Sequence, residues 1–325
     1  MIKIQNIAVL TSGGDAPGMN ACIKAITSIA LHHHLGVFGI QDGFNGLINN
    51  QISPISHQQV SSILQRGGTI LGTARCPEFL IKENRDIAYH NLKAQNIDAL
   101  IVIGGDGSFK GASIFSNEFN FPVIGIPGTI DNDIEGTDYT IGFDTALNTI
   151  CEAIDKIRDT ANSHHRIFLV EVMGNNSGVL ALNAALASGA DSVFLPECTE
   201  DFIKFESQIT KAAANNRSSL IIVAEGDQIG GAQNLYAHLN NKGMSEKIRV
   251  VILGHIQRGG APSFIDRLNA TLFGEKAVEL LLAGTTKHLI GIKNGKVSHL
   301  PFTENVTKST LKNPNFLSLI EKLGN

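Results

Sequence analysis

Six short apolar runs, each ending in a glycine-rich turn, set the rhythm of this chain. They are IAVL (7–10) before TSGGDAPG, ALIVI (99–103) before GGDGS and VIGI (123–126) before PGT. Further on come IFLVEV (167–172) before MGNNSG, LIIVA (220–224) before EGDQIGG and VVIL (250–253) before GHIQRGG. Runs of Val, Ile and Leu without polar alternation read as strands buried on both faces, the pattern of a parallel sheet covered by helices. Between them lie helical stretches such as 20–31, 145–159 and 270–283, the last with apolar residues at helical spacing. Strand, glycine turn and helix in repetition predict an α/β chain built from βαβ units. Open parallel sheets bind ligands beyond the carboxyl ends of their strands. The six glycine turns are therefore the places to look for chemistry, and they are expected to converge on one or two crevices.

Composition narrows the picture. A length of 325 residues can build one large core or two smaller ones, and no Pro/Ser-rich linker marks a boundary. With 26 basic against 30 acidic residues and no basic stripe, the chain is not expected to bind nucleic acid. Cys22, Cys76, Cys151 and Cys198 form no CxxC pair, so neither a zinc knuckle nor a disulfide framework is implied. No run approaches the roughly 18 apolar residues of a membrane span, and the N-terminus lacks a secretory pattern. A cytoplasmic protein without a membrane partner is expected.

Candidate chemistry gathers in the glycine turns. GGDAPG (13–18) can bring backbone N–H groups to a phosphate at a helix start, although a tight strand-to-helix turn would use the same residues. Met19 and Asn20 stand where GxxxxGK[ST] needs lysine and a hydroxyl, so it is not a P-loop, and no GxGxxG fingerprint favours a dehydrogenase. In GGDGS (104–108), Gly105 and Gly107 allow close approach to a polyphosphate, and Ser108 can donate to it. Asp106 suits Mg²⁺, which prefers one or two carboxylates plus substrate phosphates. PGTIDND (127–133) holds more oxygen ligands than a turn requires: Thr129, Asp131 and Asp133. A carboxylate there can take a proton from a substrate hydroxyl, as a base does in phosphoryl transfer; an Asx turn or helix cap would account for Asp133 alone. Arg75, His255 and Arg258 add cations beside glycines, and arginine forks match phosphate oxygens. The run His32 to His34 trails a helix and reads as a solvated end, because neighbouring residues point in different directions.

Taken together, TSGGDAPGMN, GGDGS, PGTIDNDIEGTDYTIGFDTA, RDTANSHHR (158–166), EVMG (171–174) and GHIQRGG (254–260) closely resemble the bacterial ATP-dependent 6-phosphofructokinases, in order and spacing, over essentially the whole chain. The resemblance implies two Rossmann-like three-layer α/β/α domains with mostly parallel sheets and the active site in the cleft between them. The larger, ATP-binding domain would span 1–141 plus 255–304; the smaller, sugar-phosphate-binding domain 142–254 plus 305–325. It implies transfer of phosphate from ATP, with Mg²⁺, to the 1-hydroxyl of fructose 6-phosphate in glycolysis.

Carried across by position, Asp131 would be the base, with Thr129, Asp133 and Arg75 also at the reacting groups. Gly14, Arg75, Cys76, Gly105, Asp106, Gly107 and Ser108 would hold the nucleotide, Asp106 acting through Mg²⁺. Thr129, Ile130, Asp131, Met173, Gly174, Asn175, Glu225, His255, Ile256, Gln257 and Arg258 would line the sugar-phosphate site. Arg166 and Arg249 would reach the 6-phosphate from a neighbouring subunit of a homotetramer. The effector site maps onto Lys24, Ser28, His57, Arg158, Gly189, Ala190, Asp191, Asn216, Arg217 and Ser218, where lost charge predicts weakened or altered allosteric control. Asn175 stands where the family usually has arginine. Two other readings are a pyrophosphate-dependent phosphofructokinase and a catalytically weak regulatory homologue. Pyrophosphate users typically carry aspartate at position 107 and lysine at 128, and both are glycine here.

Overall fold

A computed structural model describes residues 4–198, 202–241, 243, 245–302 and 315–323. Its strands are β1 (Asn6–Ser12), β2 (Gly36–Ile40), β3 (Ile52–Pro54), β4 (Ala99–Gly104), β5 (Val123–Pro127) and β6 (Ile167–Val172). They continue with β7 (Ser192–Phe194), β8 (Ser219–Ala224), β9 (Ile248–Ile252), β10 (His288–Lys293) and β11 (Lys296–Pro301). The helices are α1 (Met19–His32), α2 (Gly43–Ile48), α3 (His57–Val60), α4 (Lys82–Ala94), α5 (Asp106–Phe119) and α6 (Phe143–His164). After them come α7 (Val179–Ser188), α8 (Phe202–Ala214), α9 (Ala232–Asn240), α10 (Phe264–Leu282) and α11 (Asn315–Leu323).

The chain divides into two compact units. One comprises Met1–Ile130, Ile134–Thr145 and Arg258–Lys308; the other comprises Asp131–Asp133, Ala146–Gln257 and Ser309–Asn325. In the first, seven strands run in the order β11-β10-β5-β4-β1-β2-β3. All pairs are parallel except the two edge hairpins, β10 with β11 and β2 with β3. The chain leaves β1 toward β2 on one side and returns to β4 and β5 on the other, which makes the β1/β4 junction a topological switch point. Residues of β4 and β5 are buried throughout, as runs covered on both faces must be.

Helix α10 shows how patterning becomes packing. Its buried residues fall at 266, 269, 270, 273, 274, 277, 278, 280 and 281, a stripe at helical spacing. That stripe lies against α1, and Gly274 makes the approach possible: a Cβ there would stand 2.8 Å from the Ala25 Cβ and 3.2 Å from the Cys22 carbonyl oxygen. Burial against this contact pushes the Cys22 thiol far above its ordinary pKa, so it behaves as a small core residue.

The second unit carries a four-stranded parallel sheet in the order β7-β8-β6-β9. The apolar run in β9 differs from the expected burial on both faces. Only Ile248 is buried, and Ile252 is exposed, because among the described residues β9 is an edge strand of its sheet. Helix α6 buries Phe143, Ala146, Ile150, Ile154 and Ala161, again at intervals of three and four. The division between the units falls inside this helix, after Thr145.

One ion pair ties the surface helices of the first sheet together. Arg85 on α4 donates through Nε and Nη2 to both oxygens of Glu118 on α5, at 2.6 and 2.7 Å, and through Nη1 to the Phe79 carbonyl at 2.8 Å. The guanidinium is buried, so truncating it leaves a carboxylate and a carbonyl without their donors. Arg85→Ala is expected to cost about 3 kcal/mol of stability, read from the denaturant midpoint. The Arg85 hydrogen bonds hold the Glu118 pKa below its ordinary 4.5. A depressed carboxylate contributes stability above the unfolded value and loses it as pH falls through the folded one. The acid limb of stability is therefore expected to flatten in Glu118→Gln; an unchanged limb would refute the assignment.

Candidate active site

Register places the first three glycine turns side by side. Ser12 of β1 pairs with Gly104 of β4, and Gly104 pairs with Pro127 of β5. The loops 13–18, 105–108 and 128–130 thus leave three adjacent strand ends, which lie about 4.8 Å apart. The Ser108 hydroxyl, buried in the first turn of α5, lies 3.1 Å from the Ser12 carbonyl and 3.0 Å from the Ser12 hydroxyl, joining two of them. Asp106 begins α5, where a carboxylate meets the positive end of the helix dipole. Gly105 faces the Thr129 side chain, with an added Cβ only 3.7 Å from the Thr129 Cβ.

Two cations reach the same loops. Arg258 donates through Nη1 to the Asp15 carbonyl at 3.1 Å, and its guanidinium occupies the space a side chain on Gly14 would need. Arg75 is exposed at the end of the 66–75 loop, which is anchored to the turn after β1: Thr73 Oγ1 donates to the Gly13 carbonyl at 2.9 Å. Burial pushes the neighbouring Cys76 thiol above its ordinary pKa against a hydrogen bond from the Phe79 backbone, so it remains a neutral contact.

The second sheet repeats the arrangement. Val172 pairs with Ala224, and Glu171 pairs with Ile252, so the loops after β6, β8 and β9 emerge together. Glu225 accepts the backbone N–H groups of Gly174 (3.2 Å) and Asn175 (2.7 Å), and buried Gln257 accepts that of Met173 (3.1 Å). Asp227 closes the turn that carries Glu225 by accepting from Gly230 and Gly231 at 2.9 and 2.6 Å. Asn175 has φ 53°, a left-handed conformation in which asparagine is enriched several-fold. His255 and Ile256 are exposed on the short turn Gly254–Arg258. In the same unit, the Ser177 hydroxyl donates to the Asp131 carbonyl at 3.3 Å.

Arg166 and Arg249 stand at the other end of this sheet. Arg166 precedes β6, and Arg249 pairs with Phe168 near the start of β9. The length of β6 separates Arg166 from Met173 and Glu225, and Arg249, opposite Phe168, stands about 16 Å of strand from them. Their own end of the sheet is tied up internally. Asp191 accepts the Ser219 hydroxyl and the Leu220 N–H through one oxygen, and Arg217 lies 3.5 Å from the other. Arg158 donates to the carbonyls of Ser188 (2.5 Å) and Gly189 (3.0 Å) beyond the end of α7. Ser218 bonds Asn162, Lys247 bonds Asn216, and Ala190 is fully buried. Of the remaining effector positions, Lys24 donates to the Ser61 carbonyl, the Ser28 hydroxyl is buried and His57 is exposed; these three belong to the first unit.

The phosphofructokinase family model matches residues 6–281. The chain belongs to the phosphofructokinase family. Within the family it is 46% identical to ATP-dependent 6-phosphofructokinase 2 of Bacteroides thetaiotaomicron, over 99% of both chains. It is 50% identical to ATP-dependent 6-phosphofructokinase 1 of Clostridium perfringens, over 93% of both. Among solved structures it matches Saccharomyces cerevisiae phosphofructokinase with a TM-score of 0.85 and 38% identity, covering 91% of this chain. This phosphofructokinase-family chain spans 44% of that yeast chain.

Several residues shape these loops through contacts that the sequence does not display. The side-chain amide of Asn20 donates to the carbonyls of Arg66 and Gly67 and accepts the Ile70 N–H at 2.7 Å, which explains why asparagine stands where a P-loop has its hydroxyl. The Thr11 hydroxyl bonds the Gly72 carbonyl at 2.6 Å. Thr140 donates to the Thr129 carbonyl, and Asp266 accepts the Gly142 N–H beside Gly18; neither carries a pattern in the sequence. Among the described residues, no three His, Cys, Asp or Glu gather into a self-sufficient metal site, and no helix is long and apolar enough to cross a membrane.

Proposed function

We propose that this chain is an ATP-dependent 6-phosphofructokinase. The observation that carries the reading is the register of Ser12, Gly104 and Pro127, which sets two glycine loops, Asp106 and the Thr129 turn at three adjacent strand ends. Glycine N–H groups of 13–18 and 105–108 cradle the phosphates. The half-buried Asp106 carboxylate suits Mg²⁺, which needs few protein ligands when phosphates supply the rest; the ion neutralises phosphate charge. Arg75 adds fixed positive charge at the nucleotide, and the Arg258 fork adds it on the sugar-phosphate side. Asp131 takes the proton of the sugar 1-hydroxyl as that oxygen attacks the γ-phosphorus. The bond to the β–γ bridging oxygen breaks, leaving ADP and fructose 1,6-bisphosphate. Thr129, Ile130, Met173, Gly174, Asn175, Glu225, His255, Ile256 and Gln257 line the sugar side, and Asp133 supports the turn.

Arg166 and Arg249 fit the 6-phosphate as residues from a second copy, because about 16 Å of strand or more keeps them from Met173 and Glu225 of their own chain. Sites shared between copies are consistent with the homotetramer that the resemblance implies. The exposed apolar residues Phe264 (73%) and Leu268 (42%), one turn apart on α10, suit such burial. Allosteric control is weakened or altered, since Lys24 lacks a guanidinium fork and Ser28 and Asn216 carry no charge at the effector positions. The setting is cytoplasmic, where ATP and sugar phosphates are held.

The test is a product assay with fructose 6-phosphate and either ATP or pyrophosphate. Turnover with Mg-ATP, abolished by chelation and restored by Mg²⁺, is expected. Turnover with pyrophosphate alone would overturn the donor, and no fructose 1,6-bisphosphate with either would overturn the reaction.

A further inference from the structure

The segment Thr140–Gly142 is wedged between two of the loops just described. On one side, the Ile141 N–H donates to the Pro127 carbonyl at 2.9 Å, and the Thr140 hydroxyl donates to the Thr129 carbonyl at 2.5 Å. On the other, Gly142 packs on Ala16: a Cβ at Gly142 would stand 2.6 Å from the Ala16 Cβ. Gly18 packs on Ile141 in the same way, 2.6 Å from its Cγ2. A left-handed φ of 102° at Gly142 lets the backbone turn between these contacts.

Asp266 clamps the segment from behind. Its carboxylate is 1% exposed; Oδ1 accepts the Gly142 N–H at 2.8 Å, and Oδ2 accepts the Thr145 N–H (2.8 Å) and hydroxyl (2.5 Å). Thr145 lies in the first turn of α6, where backbone donors have no partner within the helix. Asp266 itself is held by the start of α10, where Ser263 Oγ accepts its N–H and also donates to Asp144. One carboxylate on α10 therefore anchors a three-residue strut whose far side holds the carbonyls of Pro127 and Thr129.

We infer that Thr140 and Asp266 are positioning residues for phosphoryl transfer: through the 140–142 strut they hold the Thr129 turn and the 13–18 loop in one geometry. This rests on the reading of the reaction given above. The Thr140 bond orients the peptide between Thr129 and Ile130. That peptide sets both the aim of the Thr129 side chain and the path of the chain to Asp131. A displacement of about 1 Å at such a site can cost on the order of 100-fold in rate.

Thr140→Val removes the hydroxyl at constant shape, and Thr140→Ser restores it. Amide hydrogen exchange over 125–134, with melting curves, reads the strut without reference to turnover. Faster exchange in the valine variant and near-wild-type exchange in the serine variant are expected; equal protection in all three proteins overturns the strut. On enzyme that turns over ATP and fructose 6-phosphate, kcat is expected to fall about 10- to 100-fold in Thr140→Val. Both KM values should stay within about twofold of wild type, and serine should recover most of the rate. A lowered melting temperature with unchanged kcat would make Thr140 merely structural and overturn the inference. Asp266→Asn, which keeps the shape and loses the charge, is expected to give the same kcat-weighted loss. Wild-type enzyme inactive with both donors would reject the reaction itself, and the exchange arm would still decide the strut.

Discussion

Asp131→Asn is expected to lower kcat with fructose 6-phosphate and ATP by about 10³-fold, the order of effect that loss of a positioned general base produces. The amide keeps the size of the side chain and loses its ability to take the hydroxyl proton. The backbone has its own anchor, the Ser177 hydroxyl bond to the Asp131 carbonyl, so the substitution is expected to leave the melting temperature within a few degrees of wild type. Binding of fructose 6-phosphate, followed by calorimetry, should change by no more than a few-fold. A kcat within tenfold of wild type would remove Asp131 from the role of base. The proton would then have to leave through solvent or another group.

A second large effect is expected from Gly107→Asp. Gly107 is exposed, and an added Cβ would meet nothing within 4 Å, so the aspartate enters open space. It would stand in the first turn of α5, where the helix dipole accepts a negative charge, and stability should be unchanged. Facing phosphates across about 5 Å at an effective dielectric of about 20, it would contribute roughly 3 kcal/mol of repulsion. The kcat/KM for ATP should fall about 100-fold, since each 1.36 kcal/mol is a factor of ten. Unimpaired ATP use would show that residue 107 does not face the phosphates.

Gly128, the other position at which the resemblance implies a difference between the two donor classes, is a different case. A Cβ there would stand 2.9 Å from Ile103 Cγ2 and 3.2 Å from Met19 Cε. Lysine at 128 therefore demands repacking of the core beside β4, whereas aspartate at 107 does not. The sequence presents both positions alike, as glycines in place of aspartate and lysine. The structure separates open space from tight packing, which is set by residues 25 and 109 positions away along the chain.

That contrast marks the limit of what could be read beforehand. The apolar runs were legible because burial on both faces leaves no polar residue in β4 or β5, and each glycine turn follows its strand directly. Strand order was not, because the β1/β4 junction depends on which runs pair and not on any run itself. Short edge strands such as β3 carry too few residues for a period to show. Arg166 and Arg249 could have been separated from the other candidates on position alone: they precede or begin their apolar runs, and the loop residues follow theirs. Thr140, Asp266 and Asn20 carried no pattern, since each acts on a backbone group far away in sequence. Asp266 and Gly142 are 124 residues apart.

The shared register of Ser12, Gly104 and Pro127 has a consequence for how such a protein can diverge. Inserting one residue inside β1, β4 or β5 would turn the rest of that strand's side chains to the opposite face and slide its loop by about 3.3 Å. Lineages carrying such changes would lose core and chemistry in the same step. Single replacements in the loops, as at position 107, touch neither the register nor the core. A change at position 107 is therefore open to divergence without disturbing the sheet, whereas one at position 128 must be matched by change at Ile103 and Met19 beneath it.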